Sequence, residues 1–344
     1  MHTAIVVLNY NGSELLKHYL PSVIQHAGNA EVWVIDNCST DNSVDVLKND
    51  FPNVKLVINQ QNTGYAGGYN EGLKSICADL YLLINSDIEV TPGWLAPIEQ
   101  AFIDDANLGA AQPIILADQK RTHYEYAGAA GGFIDTYGYP FCRGRIFDNL
   151  ESEQTAYASD IDCFWASGAC IAVRASAFHK LGGFYPEYFA HMEEIDLCWR
   201  LQAAGFKIRC VHQSKVYHLG GGTLNYQNSK KVYLNFRNNL IMMGRLLPEK
   251  IRKSTIFKRM ILDGISAVRF LLTGKWSFFK AILQAHLDYY KHQEKITDFR
   301  KNHLTKFEDL DGVYHKCIVA DYFLKGKKTF SEVIPQQTQT SHNG

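Results

Sequence analysis

Four short apolar runs, TAIVVLNY, VWVID, VKLVIN and LYLLIN, open the chain at regular intervals, each rich in residues that favour strands. Between them lie the helix-like stretches GSELLKHYLPSVIQHA, TDNSVDVLKND and AGGYNEGLKSICA. The alternation predicts an α/β fold with a mostly parallel central sheet flanked by helices. Ligands of such sheets bind at the carboxyl ends of the strands. Asn9 to Asn11, Asp36, Asn59 to Asn62 and Asn85 to Asp87 all fall at those ends. In LLINSDIEV, residues 82–90, the apolar run gives way to Asn85, Asp87 and Glu89, spaced two apart. An extended chain would aim all three to one side.

Residues 105–225 read as irregular strands and turns, then a helix ending at LGG and another across EEIDLCWRLQAAGF. Gly182 and Gly205 stand where left-handed helix caps belong. From about 229 the pattern is helical, with basic and aromatic residues interleaved. The pattern divides the chain into an α/β part over 1–225 (halves 1–105 and 106–225), a helical extension over 226–330 and a disordered tail over 331–344.

With 344 residues, 46% hydrophobic and 20% charged, the chain can bury a large core. The eight cysteines contain no C-x-x-C pair and read as reduced, mostly buried thiols, the usage expected of a cytoplasmic protein. No apolar run approaches the ~20 residues that span a bilayer. The formal net charge is zero, yet residues 245–306 carry 14 Lys and Arg against 5 Asp and Glu. That basic, aromatic segment suggests contact with an anionic membrane surface or, as the alternative, a homodimer face. Nothing in the pattern suggests a nucleic-acid partner.

Several residues carry candidate chemistry. Asp36 ends a strand ahead of the cap residues Ser39 to Asp41, and its carboxylate can accept the N3–H of a pyrimidine. Gly64, Gly67 and Gly68 in NTGYAGGYNEG allow close backbone approach to a ligand, and Asn70 reads as a packing amide or a ligand contact. The spacing is not the dinucleotide G-x-G-x-x-G. Asp87 suits a hard divalent cation that holds phosphates, while Asn85 suits ribose or a metal-bound water. Glu89 reads as a solvated residue before a turn. On the helix EEIDLCWRLQAAGF, Glu193, Asp196 and Arg200 share one face, with Asp196 and Arg200 at pairing distance. Glu194 falls with Leu197, Cys198 and Leu201 on the apolar face.

Taken in order, VVLNYNG, VIDNCSTDNS, NTGYAGGYN, LLINSDIEV, the long stretch from SGACIAV to RLQAAGF, and VYHLGGGT resemble family 2 glycosyltransferases, in particular their rhamnosyltransferase-like branch. The resemblance covers about residues 3–225. It implies a GT-A fold, an inverting transfer from a nucleotide-sugar donor, and a divalent cation, Mg2+ or Mn2+. It also implies that Asp36 contacts the base and that Asn85-Ser86-Asp87 is the counterpart of the family's D-x-D motif. Asn85 stands where that motif has its first Asp. Glu194 resembles the catalytic base, usually Asp, and His218 would join Asp87 on the cation. Gly220 to Gly222 would then form a mobile loop near the phosphates. Asn9, Asn62 and Gly64 are expected on the nucleotide side, and Gly168, Glu193 and Asp196 on the acceptor side. The implied acceptor is a saccharide hydroxyl, lipid-linked in cell-surface polysaccharide synthesis, reached from the inner face of the plasma membrane. The rival readings are a sugar nucleotidyltransferase and a non-catalytic nucleotide-sugar-binding protein.

Overall fold

Strand β1 (Thr3–Asn9) sends Ala4 and Val6 to one face of a sheet and Ile5 and Val7 to the other, so each face of the strand is anchored in its own apolar layer. The computed structural model describes residues 1–125, 128–153, 157–220, 228–292 and 306–335. After β1 come α1 (Ser13–Gln25), β2 (Glu31–Asp36), α2 (Ser43–Asp50), β3 (Lys55–Ile58), α3 (Gly64–Gly72) and β4 (Leu80–Asn85). Four strands thus form where the four apolar runs predict them, and β1 pairs in parallel with both β2 and β4. The register sets Asn9 beside Asp36 and Leu8 beside Asn85, which gathers the polar strand ends at one edge.

Strand β5 (Ile88–Val90) and helix α4 (Leu95–Asp104) lead into the second half. There β6 (Leu108–Ala117), β7 (Lys120–Tyr124), β8 (Gly132–Asp135), β9 (Pro140–Cys142), β10 (Arg145–Ile146), β11 (Asn149–Leu150) and β12 (Ile161–Asp162) precede β13 (Cys170–Arg174). Helices α5 (Ala175–Lys180) and α6 (Glu193–Ala203) and the long β14 (Lys207–His218) complete it. Gly182 and Gly205 take the left-handed backbone that the helix ends require. The main sheet runs β12-β14-β6-β13-β4-β1-β2-β3, with β5 on β14 and β7 on β6. It is parallel over β1, β2, β3 and β4 and mixed beyond, because β13 runs antiparallel to both β4 and β6.

Helices α7 (Ser229–Leu246), α8 (Glu249–Leu272) and α9 (Trp276–Lys291) follow, then β15 (Val313–Tyr314), α10 (Ile318–Phe323) and α11 (Phe330–Val333). Two sequence expectations need correction here. The extension does not stay outside the domain, since β15 pairs with β8 in a second, five-stranded sheet. Phe307, Tyr314, Ile318, Tyr322, Phe330 and Val333 join the large core cluster with residues of β8, β13 and α6. The tail expected to be disordered from 331 begins inside α11, where Thr329 and Glu332 form a reciprocal capping box. Residues 336–344 lie outside the described residues.

Candidate active site

The chain does not stay extended through LLINSDIEV. Strand β4 ends at Asn85, residues 86 and 87 form a turn, and β5 starts at Ile88 to pair with β14. The turn separates the three polar side chains. Glu89 swings to Arg121, which holds both carboxylate oxygens at 2.9 and 2.5 Å. Asp87 is delivered to β14 instead: its carbonyl accepts the Leu219 N–H, and its Oδ1 lies 3.2 Å from His218 Nε2. The other imidazole nitrogen, Nδ1, lies 3.3 Å from Glu125 Oε2. All three side chains are nearly fully buried. Burial by itself would lower the His218 pKa, but hydrogen bonds and charge from Asp87 and Glu125 outweigh it and hold the imidazole up at about 10.

A carboxylate and an imidazole converging on one point form a donor set that suits a divalent cation, which would displace the imidazolium proton, and a second carboxylate behind the imidazole is the usual way to orient such a ligand. The described residues contain no cluster of three or more His, Cys, Asp and Glu able to hold a metal.

Asp36 has no exposed surface. Its Oδ2 accepts from the Asn9 amide at 2.9 Å and its Oδ1 from the Ser39 N–H at 2.8 Å. The expected base contact is therefore not available to it as folded; Asp36 braces Asn9 and the loop that follows β2. Asn9 is equally buried, and its Oδ1 finds no partner among the described residues. Asn62 accepts from the Asn37 amide and the Gly64 N–H, which ties the α3 loop to the end of β2. Asn70 settles as the packing amide, bonded to the Phe184 N–H and carbonyl at 2.9 and 2.7 Å. Gly64 also departs from expectation. Its φ is +74°, and a Cβ there would sit 2.3 Å from the Phe189 carbonyl oxygen. The close approach that this glycine permits here is to the chain itself.

That carbonyl belongs to an unusual segment. Phe189, His191 and Met192 all have positive φ, 63°, 71° and 76°, at non-glycine positions just before α6. Each such residue costs of order 1–3 kcal/mol and persists only where its surroundings fix it. The segment ends at Glu193 and Glu194, the first residues of α6. Glu193 is buried and Glu194 half-buried, and each keeps one buried oxygen, Oε2, without a hydrogen-bond partner among the described residues. Burial, then repulsion from Glu194, pushes the Glu193 carboxyl well above the ordinary range. Burial likewise raises Glu194 to about 7, opposed by N–H groups of Glu194, Ile195, Gly168 and Met192. Gly168 lies directly beneath it: a Cβ there would be 3.5 Å from the Glu194 carboxyl carbon. The next residue, Ala169, accepts the Asn85 N–H at 3.0 Å, so Glu194 and the end of β4 share one edge of the sheet.

A family model for glycosyl transferase family 2 matches residues 4–182, just over half of the chain. The chain belongs to glycosyl transferase family 2. Curated relatives include the N-acetylglucosaminyl-diphospho-decaprenol L-rhamnosyltransferase of Mycobacterium tuberculosis, 27% identical over 62% of this chain and 75% of that one. The low-salt glycan biosynthesis hexosyltransferase Agl10 of Haloferax volcanii is 23% identical over 79% and 85%. Among solved structures, Staphylococcus aureus TarS 1-349 with UDP-GlcNAc superposes with a TM-score of 0.52 at 15% identity, over 85% of this chain and 81% of that one. The mannosyltransferase PcManGT of Pyrobaculum calidifontis, solved with GDP-Man and Mn2+, gives 0.51 at 12% identity over 86% and 88%. The fold is GT-A, and the protein is a glycosyltransferase.

The glycosyltransferase domain thus brings Asp87 and His218 into contact and sets Glu194, Gly168 and Asn85 along the same edge. It does not bring Asp196 there, and that acceptor-side expectation is corrected. Asp196 has no exposed surface and is shared by Arg200 at 2.5 Å, the Tyr188 hydroxyl at 2.8 Å and the Arg245 guanidinium. Glu125 was missed from the sequence; its one signal is an acid closing the otherwise polar strand KRTHY. Gly221 and Gly222 lie outside the described residues.

Proposed function

We propose that this glycosyltransferase moves one sugar from a nucleoside-diphosphate donor to a hydroxyl of a lipid-linked saccharide, with inversion, in cell-surface polysaccharide synthesis. The observation that carries the reading is the Asp87–His218 contact at 3.2 Å, on the sheet edge where Glu194 presents a half-buried carboxyl with a raised pKa. Glu194 takes the proton of the acceptor hydroxyl. The oxygen attacks the anomeric carbon from the side opposite the diphosphate, and the electron pair of the breaking C–O bond leaves with the diphosphate. A single displacement inverts the centre, so no residue of the chain acts as nucleophile. A divalent cation held by Asp87 and His218 would neutralise the charge that grows on the leaving diphosphate. Rhamnose is the sugar that the M. tuberculosis relative's name favours; dTDP is proposed as its carrier, with UDP-sugars as the alternative.

The surface of α8 and α9 supports a lipid-linked acceptor. Phe257, Ile261, Ile265, Val268 and Leu272 follow one another along one exposed side of α8, and Trp276, Leu283, Leu287 and Tyr290 are exposed on α9. Leu272 is 81% exposed and Trp276 58%. Lys253, Lys258, Arg269, Lys280 and Lys291 are exposed on the same two helices, and Lys275 between them. An apolar stripe edged by cations is the composition of a helix that lies in an anionic membrane surface. The proposed mode of attachment is peripheral docking at the inner leaflet; among the described residues no helix is long and apolar enough to cross a membrane.

The test of the chemistry is nucleoside diphosphate release by the purified full chain from a panel of dTDP-, UDP- and GDP-sugars. It is run with Mg2+, Mn2+ or EDTA, with and without a polyprenyl-diphosphate saccharide, and the anomeric configuration of the product is read by NMR. Release that needs the cation and yields the inverted product is expected. No release with any donor, or a retained configuration, overturns the reading. For docking, full-length protein carrying Leu272→Ser and Trp276→Ser should lose co-sedimentation with vesicles containing anionic lipid. Loss of a dimer on gel filtration instead, with vesicle binding unchanged, would assign the stripe to a second copy of the chain.

A further inference from the structure

The strained segment ahead of α6 is held from two sides, and one of those sides lies in the helices first read as an extension. At its centre the Ala190 N–H donates to the Tyr188 carbonyl at 2.7 Å, closing a γ-turn over Phe189, whose φ and ψ are 63° and −59°. A turn of this hand is rare for a bulky residue and forms only where neighbours over-determine it. Beneath it, the Phe189 carbonyl caps helix α3 by accepting from the Tyr65 and Ala66 N–H groups at 2.6 and 3.3 Å. Above it stands Asn238 of α7, with no exposed surface. Its Nδ2 lies 3.0, 2.9 and 2.8 Å from the carbonyl oxygens of Tyr188, Ala190 and His191.

The orientation of that amide is itself fixed. Arg237 Nε donates to Asn238 Oδ1 at 2.8 Å, so the nitrogen end must face the turn. The same guanidinium donates to the Glu187 carbonyl at 2.9 Å. Further along α7, Arg245 holds Asp196 of α6, so helix and turn are joined at both ends of the segment that carries Glu193 and Glu194.

We propose that Asn238 is a positioning residue for sugar transfer: by holding the γ-turn at Phe189 it fixes where the first turn of α6 presents Glu194 to the acceptor. It touches no substrate and acts through the backbone of residues 188–191. Arg237 keeps the amide turned to that task. The inference rests on Glu194 as the base, as proposed above.

The test uses the full-length chain and the nucleotide sugar that the wild type turns over, comparing Asn238→Leu, Arg237→Met and Glu194→Gln with the wild type. Leucine fills the space of asparagine but offers the turn no donor. Folded Asn238→Leu protein, judged by its circular dichroism, should keep its donor KM within about twofold. Its kcat should fall 10- to 100-fold, as a misplacement near 1 Å can do. The acidic limb of its pH–rate profile should move to lower pH, because a slack turn lets water reach Glu194. Damage confined to stability would reduce the folded fraction and leave KM, kcat per folded molecule and the limb alone, and that result overturns the inference. Arg237 is only part-buried, so Arg237→Met is expected to fold even where Asn238→Leu does not. It should show the same split at about 3- to 10-fold, and a wild-type profile in folded Arg237→Met also overturns the inference. An inactive Glu194→Gln beside a fully active Asn238→Leu sinks the positioning role alone. An active Glu194→Gln sinks the base on which it rests.

Discussion

Replacing Glu194 with glutamine keeps the shape of the side chain and removes its ability to take a proton. A general base contributes typically 10²–10⁴-fold, or about 2.7–5.4 kcal/mol of barrier at 1.36 kcal/mol per decade. The structure argues for the upper part of that range. The neighbouring carboxyl, Glu193, is pushed well above the ordinary range chiefly by burial, which favours its neutral form and makes it a poor substitute base. Nucleoside diphosphate release by Glu194→Gln should fall about 10³–10⁴-fold, while donor binding, measured by calorimetry, stays at the wild-type value.

The same substitution has a second, opposite effect that separates a catalytic acid from a structural one. The Glu194 pKa is raised from 4.5 to about 7 in the folded protein, chiefly by burial. The folded state therefore binds this proton more tightly than the unfolded state. The associated stability is fully present below about pH 4.5 and is lost as pH rises through about 7. Glutamine carries no charge to bury, so the variant should melt above the wild type at pH 8, and the gap should close as the pH is lowered toward 5. A variant that turns over within tenfold of the wild type, or melts below it at pH 8, would refute the assignment.

Three further outcomes are expected. The kcat of the wild type should rise with pH through an acidic limb near 7, since Glu194 must be ionised to act, and a limb near 4.5 would point to a solvated carboxylate instead. His218→Ala should raise the Mn2+ concentration needed for half-maximal release about tenfold or more, and an unchanged cation requirement would remove His218 from the site. Asp196→Ala leaves the Arg200 and Arg245 guanidiniums buried without their shared carboxylate, a loss of about 3–5 kcal/mol. Arg200 keeps the Leu181 and Gly183 carbonyls, so the lower end applies. The urea midpoint should fall with donor KM unchanged, and an unmoved midpoint would mean that the network contributes nothing.

How far the sequence reveals this arrangement depends on the range of the forces involved. Period and apolarity place β1 to β4 and their polar ends, because strands buried on both faces leave a local signature. Spacing fails at Glu89, since the turn at residues 86 and 87 resets the alternation on which the argument relied. Glycine at 64 signals close approach but not to what, and the answer lies 125 residues away at Phe189. Positive φ at Phe189, His191 and Met192 is invisible, because no residue type there advertises it and the ties come from α3 and α7. The return of residues 306–335 to the core is equally hidden: β15 finds β8 about 180 positions earlier, and a helical, basic pattern between them reads as surface.

The charges at the sheet edge carry one further consequence. Asp87 and Glu125 lie there, Glu194 adds its charge once ionised, and a nucleoside diphosphate adds more negative charge to the same place. Two unit charges 4 Å apart interact by about 4 kcal/mol at an effective dielectric constant near 20, so an uncompensated donor would be repelled strongly. The imidazole of His218 offsets only part of this, because Asp87 and Glu125 already share it. On the proposed chemistry, a cation would therefore arrive with the donor or before it. The fold has no such need, since the imidazole already stands between two carboxylates, 3.2 Å from Asp87 and 3.3 Å from Glu125. EDTA should abolish nucleotide binding while leaving the melting temperature of the donor-free protein where it was. A drop in that temperature on chelation would mean that the metal is part of the architecture, and that the Asp87–His218 contact is not the resting state of the site.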